Sequence, residues 1–361
     1  MSIKVRAIAL YLPQFHPIPE NDRWWGEGFT EWENVKAAKP LFRGHYQPRV
    51  PADLGYYDLR DPEARQAQAD LARRYGIEGF CYWHYWFGNG KKLLERPFEE
   101  VLRSGHPDFP FCLAWANHSW KQKLWNNDGK GDKLLIEQTY PGIEDYTAHF
   151  YNVLPAFRDK RYITVDGKPL FAVFVPLEFP DVSRFIAVWR ELARQNGLPG
   201  IYFVGQGNHR ICKQIIDLGF DACNNTSLLA VHERQNLLRR VWLQFKVRTL
   251  HRPRIYRYSE AMKYFSAPAD SELDVIPSVF PNWDHSPRSG NKGIILTGST
   301  PALFKRHVQQ VLERIRNKPE EHRIVMIKSW NEWGEGNYME PDQKFGQGYL
   351  QAFREAVETF K

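Results

Sequence analysis

The sequence predicts an α/β fold: a single (β/α)8 TIM barrel over residues 1–361, with long loops after strands one and six. Three observations carry that expectation. Eight short β-rich runs alternate with longer helical patterns. The runs are continuously apolar, as strands are when both faces are covered. No glycine-rich phosphate loop follows the first run, which counts against a doubly wound open sheet, the alternative with the same alternation.

The first strand is "VRAIALYLP" (5–13). Its helix, "DPEARQAQADLARRYG" (61–76), is punctuated by Asp61 as N-cap, Pro62 in the first turn and Gly76 as C-cap. "IEGFCYWHYWF" (77–87) is strand two, followed by a helix over 91–103. "FPFCLAWAN" (109–117) is strand three, with a helix near 143–157. "KPLFAVFVP" (168–176) and the helix over 181–197 form unit four. "GIYFVGQG" (200–207) is strand five, with a helix near 208–218, and "FDACNN" (220–225) is strand six. "DVIPSVFPNWD" (274–284) precedes a helix over 299–317, capped by Ser299 or Thr300. "RIVMIKSWNEW" (323–333) is strand eight, and the helix over 346–361 ends the chain.

Two stretches exceed the bare unit. Residues 14–60 form a Trp-, Pro- and Gly-rich loop without obvious secondary structure, and such long loops are usually functional. Residues 226–257 are dense in Arg with apolar residues interleaved.

Composition narrows the function classes. Hydrophobic residues at 43% suffice for a large core, and 15% aromatic is more than a core needs. The thirteen Trp offer flat apolar faces with one donor each, suited to sugar rings or stacked bases. Net charge is +7, a mild pointer to anionic partners against the plain reading of a solvated basic surface. The Arg-rich residues lie in one insert rather than along an aromatic stripe, so a nucleic-acid partner is not expected. Cys81, Cys112, Cys212 and Cys223 form no CxxC pair, and no disulfide or zinc site is expected. No HxH or HxxxH spacing offers a catalytic metal, and no cofactor is expected. With neither a signal-peptide pattern nor an 18-residue apolar stretch, the expected location is cytoplasmic.

In a (β/α)8 barrel the active site lies at the C-terminal strand ends. Strand one ends in Tyr11, Gln14 and His16, and its loop adds Trp24, Trp25, Glu27, Thr30, Glu31 and Trp32. Strand two ends in Tyr82, Trp83, His84, Tyr85 and Trp86. Strand three ends in Trp115, Asn117, His118 and Trp120, strand five in Gln206, and strand six in Asn224. Strand seven ends in Asn282, Trp283, Asp284 and Arg288. Strand eight runs into "SWNEWGEG", with Trp330, Asn331, Glu332, Trp333 and Glu335. Aromatic platforms beside amides and carboxylates describe a sugar site.

Paired carboxylates in an aromatic cleft equip glycosidic-bond chemistry, one of them protonating the leaving oxygen at a raised pKa. Glu332 and Glu335 are the candidate catalytic pair, with Trp330 and Trp333 expected to desolvate the acid. The candidate substrate-binding residues are Tyr11, Gln14, His16, Trp25, Glu31, Trp32, Tyr82, His84, Tyr85, Trp115, Asn117, Trp283, Asp284, Arg288, Asn331 and Trp333. Plainer readings stand beside these. "WWGEGFTEW" is also a packing plug over the mouth, His84 also a satisfied core histidine, and Asp284 with Arg288 also a simple ion pair.

Together "YLPQFHPIPENDRWWGEGFTEW", "GFCYWHYWF" and "SWNEWGEG" resemble the WbsX-like family of polysaccharide-biosynthesis proteins, related to glycoside hydrolase family ninety-nine, the endo-α-mannosidases. The resemblance covers nearly the whole chain and implies a (β/α)8 barrel. It implies that Glu332 is the base for the sugar 2-OH, giving a 1,2-anhydro sugar with net retention. It implies that Glu335 is the general acid, later the base for water or acceptor. The hydrolase motif reads Asn-Glu-Trp-His-Glu-Gly, and here Gly334 stands at the His position.

The expected function is a carbohydrate-active enzyme cleaving or transferring α-linked mannoside- or rhamnoside-like units in bacterial surface polysaccharide or O-antigen metabolism. Its expected partner is a glycan or oligosaccharide. Two alternatives remain: a glycosyltransferase using an activated donor, with a lipid-linked glycan met at the membrane surface through 226–257, and a non-catalytic glycan-binding protein.

Overall fold

The computed structural model describes residues 4–122 and 133–360. Its centre is a closed barrel of eight parallel strands. In chain order they are β1 (Arg6–Tyr11), β2 (Gly79–Trp86), β3 (Phe111–Trp115), β4 (Lys168–Val173), β5 (Tyr202–Gly207), β6 (Ala222–Asn225), β7 (Val275–Val279) and β8 (Ile324–Ile327). Neighbours in sequence are neighbours in space throughout. Closure is direct, because β1 pairs with β2 (Ile8 opposite Gly79) and with β8 (Arg6 opposite Ile324). All eight predicted strands are present.

Why these runs become barrel strands is plain from burial. All eight residues of β2 and all five of β3 are buried, so both faces need apolar cover. Burying one Val, Leu or Ile side chain contributes roughly 1.5–3 kcal/mol, which outweighs the weak β-propensity of any single position.

Helices supply the outer cover. The helices named below, some of which reach over the cleft, are α1 (Pro19–Trp25), α2 (Glu31–Ala37), α3 (Pro62–Arg74), α4 (Arg96–Ser104), α5 (Ile143–Phe157), α6 (Val182–Gln195), α7 (Cys212–Asp217), α8 (Leu237–Arg248), α9 (Ser286–Ser289), α10 (Pro301–Ile315) and α11 (Gly348–Glu358). The Asp61 side chain accepts from the Glu63 N–H at 2.9 Å, ahead of Pro62, and so starts α3. At the start of α10, Thr300 is the residue that caps: its hydroxyl accepts from the Leu303 N–H.

The long loops hold more structure than expected. Residues 14–60 form α1 and α2, started by Pro19 and by Thr30, whose side chain accepts from the Trp32 N–H. The basic insert contains α8 and a short strand, Arg254–Arg257, that pairs in parallel with Ile294–Thr297 of the loop after β7. A second apolar cluster, with Leu243, Tyr256, Phe265, Phe280 and Trp283, packs beneath these loops.

The expectation of no disulfide is corrected. Cys212 at the start of α7 is bonded to Cys223 in β6, with their Cα atoms 5.3 Å apart. The two are eleven positions apart, and only the return of α7 into β6 brings them together. Cys81 and Cys112 face each other in register on β2 and β3 as buried free thiols.

Candidate active site

Beyond β8 the chain folds back on itself. Asn331–Glu332 pairs antiparallel with Asn337–Tyr338, around a single 3-10 turn at Trp333–Glu335. Gly336 closes the turn at φ +57°, and a Cβ there would meet Asp284 Cβ at 2.7 Å, so position and conformation both demand glycine. Asn331 anchors the hairpin. Its Oδ1 accepts from the Leu12 N–H at 2.7 Å, and its Nδ2 donates to the Leu12 carbonyl at 3.0 Å. The loops after β1 and β8 are thereby locked together.

Trp333 lies beneath the turn, stacked on Tyr338 with ring centroids 3.7 Å apart. Its Nε1 donates to Glu340, which also accepts from Tyr57 and Gln68. Burial pushes the Glu340 carboxyl up to about 7 against these donors. Trp32 packs on Trp333 and donates to the Tyr57 carbonyl. Trp330 packs on Phe80. Both indoles are fully buried beneath the turn, and neither lines the cleft.

The cleft above them has a volume of about 620 Å³, open mouth included. Its apolar walls are Trp83, Tyr85, Trp120 and Phe174, and its polar lining is Gln14, Glu31, His118, Arg288, Lys328, Glu332 and Glu335. Arg288, delivered by α9, holds the centre. Its Nε donates to Glu31 at 2.8 Å, its Nη1 to Glu335 at 2.6 Å and its Nη2 to Glu332 at 3.3 Å. Three carboxylates around one guanidinium is an expensive arrangement to keep in a fold, and it makes this cleft the candidate site.

The two candidate catalytic acids are driven apart. Burial, reinforced by the charge of Glu335, pushes the Glu332 carboxyl up to about 7 despite Arg288. Burial also raises Glu335, but Arg288 and His285 outweigh it and hold this carboxyl below the ordinary range. His285 Nε2 lies 3.6 Å from it. The pair therefore holds a proton on Glu332 in preference to Glu335.

The Glu31–Arg288 pair also accounts for Gly334. A Cβ at this position would lie 1.9 Å from Glu31 Oε1 and 2.9 Å from Arg288 Nε. The space a histidine would enter is occupied by that ion pair.

Of the predicted site residues, Gln14, Glu31, Tyr85, Arg288, Glu332 and Glu335 line this cleft. The others lie away from it. Tyr11 donates to Gln68 in the core. His16 is buried, and burial lowers its pKa to about 4. Trp25 is exposed beside Phe29. Tyr82 packs on Tyr11 and Phe98. His84 meets His149 of α5, Nε2 to Nε2 at 2.8 Å, and the plainer core reading describes it. Trp115 donates to the Trp86 carbonyl, and Asn117 ties Val175 to Tyr140. Trp283 stacks on His285.

Asp284 and Arg288 do not form the simple pair considered above. Asp284 is bound by His45, Gln47 and Ser286, with Arg49 at 3.7 Å, and is held far below the usual carboxylate range against the cost of burial. Trp83, His118 and Trp120 were visible as strand-end residues but stood outside the candidate set. Lys328 and Phe174 were missed, although each directly follows an apolar strand, which was the available signal. Among the described residues no three His, Cys, Asp or Glu side chains converge to hold a metal ion.

With this geometry in hand, three comparisons are informative. The model of the family described as "Glycosyltransferase WbsX" matches residues 7–353. Two proteins named "Uncharacterized protein WxcX" from Xanthomonas campestris pv. campestris are 38% and 39% identical over 357 residues, 97% of this chain. The chain spans about half the length of these relatives, 49% in each case. Among solved structures, a glycoside hydrolase-like protein superposes with a TM-score of 0.59 at 14% identity, covering 98% of this chain and 94% of its own. The GH99 endo-alpha-mannosidase from Bacteroides thetaiotaomicron superposes with a TM-score of 0.58 at 14% identity, covering 98% and 97%. At that identity the structural likeness speaks for the fold alone.

Proposed function

From the premise that the chain belongs to the WbsX glycosyltransferase family, we propose that it cleaves or transfers α-linked glycosyl units, mannoside- or rhamnoside-like, in bacterial surface-polysaccharide metabolism. The observation that carries the reading is the pair Glu332 and Glu335 on one arginine, in an aromatic cleft at the C-terminal ends of the strands.

In the proposed reaction the Glu332 carboxylate takes the proton of the sugar 2-hydroxyl. O2 attacks C1, the C1–leaving-oxygen bond breaks, and the Glu335 carboxyl protonates the leaving oxygen. Glu335, now a carboxylate, then takes the proton of a water or acceptor hydroxyl. That oxygen attacks C1, the C1–O2 bond opens, and O2 recovers its proton from Glu332. Two inversions give net retention. A pKa near 7 suits Glu332 as a base, because it takes a proton more readily than an ordinary carboxylate while staying partly ionised at neutral pH. For Glu335 to donate, Arg288 must turn from it toward the substrate.

One observation favours a second reading. Glu335 is held ionised, and Arg288 and Lys328 both line the cleft. In an activated donor the bond from C1 to a phosphate oxygen breaks, and the phosphate leaving group needs no proton and would be received by these two cations. Glu335 would then serve only as base for the acceptor, and a lipid-linked glycan would be a natural acceptor.

The test is mass spectrometry of α-linked manno- and rhamno-oligosaccharides incubated with wild type, Glu332→Gln or Glu335→Gln, with and without nucleotide sugars. Shortened products without nucleotide sugars support hydrolysis, and lengthened products only with them support the second reading. Either variant should fold and lose about 100-fold or more in rate. A variant near wild-type rate would remove that residue from the mechanism. Hydrolysis by this route needs one proton on the carboxyl pair, and because Glu335 is held low that proton is lost when Glu332 ionises. The hydrolytic rate should therefore fall as pH rises past about 7, whereas transfer that needs no acid should climb.

A further inference from the structure

Helix α8 is apolar on the wrong side. Leu243, which is buried, and the half-buried Val247 turn toward the protein. Yet Leu237, Leu238, Val241, Trp242 and Phe245 are 74%, 83%, 60%, 51% and 45% exposed. At 3.6 residues per turn these five cover an arc of about 140°, opposite Leu243 and Val247. A helix on the surface of a globular protein presents polar residues there. Trp242 and Phe245 stack on each other with ring centroids 5.6 Å apart, and Lys246 Nζ lies 5.3 Å over the indole.

The charge around that face is one-sided. Residues 234–257 contain seven Arg, one Lys and no Asp or Glu. The whole chain nets +7 and this stretch +8, which leaves −1 for all the rest. The basic excess of the protein is therefore concentrated around this exposed apolar stripe.

We infer that α8 is an interfacial anchor, lying flat on an anionic lipid surface with Leu237, Leu238, Val241, Trp242 and Phe245 in the acyl boundary and the flanking Arg and Lys among the headgroups. An apolar face of Leu, Trp and Phe bordered by basic residues is the pattern of a helix that lies in a membrane interface. Crossing is not at issue, since among the described residues no helix is long and apolar enough to span a membrane. A second copy of the chain fits the face poorly, because a two-fold contact would press one +8 stretch against another.

The anchor also points the right way. The segment leaves the C-terminal end of β6, the end where the cleft opens. Leu243 belongs to the cluster that contains Trp283, Trp283 stacks on His285, and His285 lies 3.6 Å from Glu335. A chain lying on α8 would hold its cleft beside the lipid surface. The inference stands apart from the reaction proposed above, because binding is read without turnover.

The test is co-sedimentation of the purified chain with vesicles of phosphatidylcholine plus phosphatidylglycerol, and of phosphatidylcholine alone. Wild type should pellet with the anionic vesicles, less so as salt rises. The double variant Leu238→Glu, Trp242→Glu should lose about tenfold or more in apparent affinity, with an unchanged far-UV spectrum and melting temperature because both side chains are exposed. Arg240→Glu with Arg248→Glu should abolish the preference for anionic lipid and leave the fold intact. Equal pelleting with both vesicle types, no pelleting, or unaltered binding by the Leu238/Trp242 variant would overturn the inference. So would a dimer in light scattering that the same variant dissolves, which would assign the face to a second copy.

Discussion

At the scale of single residues, the centre of the site is a contact between positions 257 apart, Glu31 and Arg288. Both residue types stand out in the sequence, but no spacing rule joins a loop after strand one to a loop after strand seven. Their contact fixes what residue 334 can be. Gly334→Ala should destabilise by about 1–3 kcal/mol, because the new Cβ overlaps a buried carboxylate held by its arginine. In a Glu31→Ala background the same substitution should cost much less, since the obstructing atom is gone. Urea unfolding of the four proteins in this cycle reads the coupling. Equal penalties in both backgrounds would show that the space is not shared.

At the scale of elements, β2 shows where pattern reading stops. "YWHYW" carries aromatics on both faces, so period-two alternation separates two sets without saying which faces the axis. The closed barrel turns Trp83 and Tyr85 into the cleft and His84 toward α5. Strands seven and eight are shorter than their apolar runs suggested, because the last residues of each run leave the ladder to build the site loops. The α7–β6 junction yields a direct check. Denatured without reductant, the chain should titrate two thiols, Cys81 and Cys112, and after reduction four. Closing so short a loop should add roughly 2–3 kcal/mol of stability. Four thiols without reductant would remove the Cys212–Cys223 bond.

At the scale of the whole molecule, the barrel holds several histidines neutral. Burial lowers His16 to about 4, His84 and His307 to about 3, and His149 well below its ordinary value. The unfolded chain protonates them near 6.5 and the folded chain does not, so each adds stability above about pH 6.5 that is lost as pH falls. Glu332 and Glu340 act in the opposite sense. Their folded pKa values are raised, so they favour the folded chain below about 4.5 and lose that advantage as pH rises to 7. The clean readout is therefore a difference. Relative to wild type, His307→Leu should gain about 2 kcal/mol between about pH 7.5 and pH 5, measured by urea unfolding. A pH-independent difference would mean that His307 titrates normally in the fold.

The sequence by itself determined the barrel, the end of it that carries the site, and the Glu332–Glu335 motif. Continuous apolar runs, capped helices and a strand ending in paired acids are local signals, and local chemistry is enough to read them. Only the tertiary structure decided which strand-end aromatics face the cleft, that Arg288 gathers three carboxylates, that Cys212 meets Cys223, and that α8 shows its apolar face to the outside. Each of these depends on how distant segments approach once the barrel closes, and residue spacing along the chain does not encode that approach.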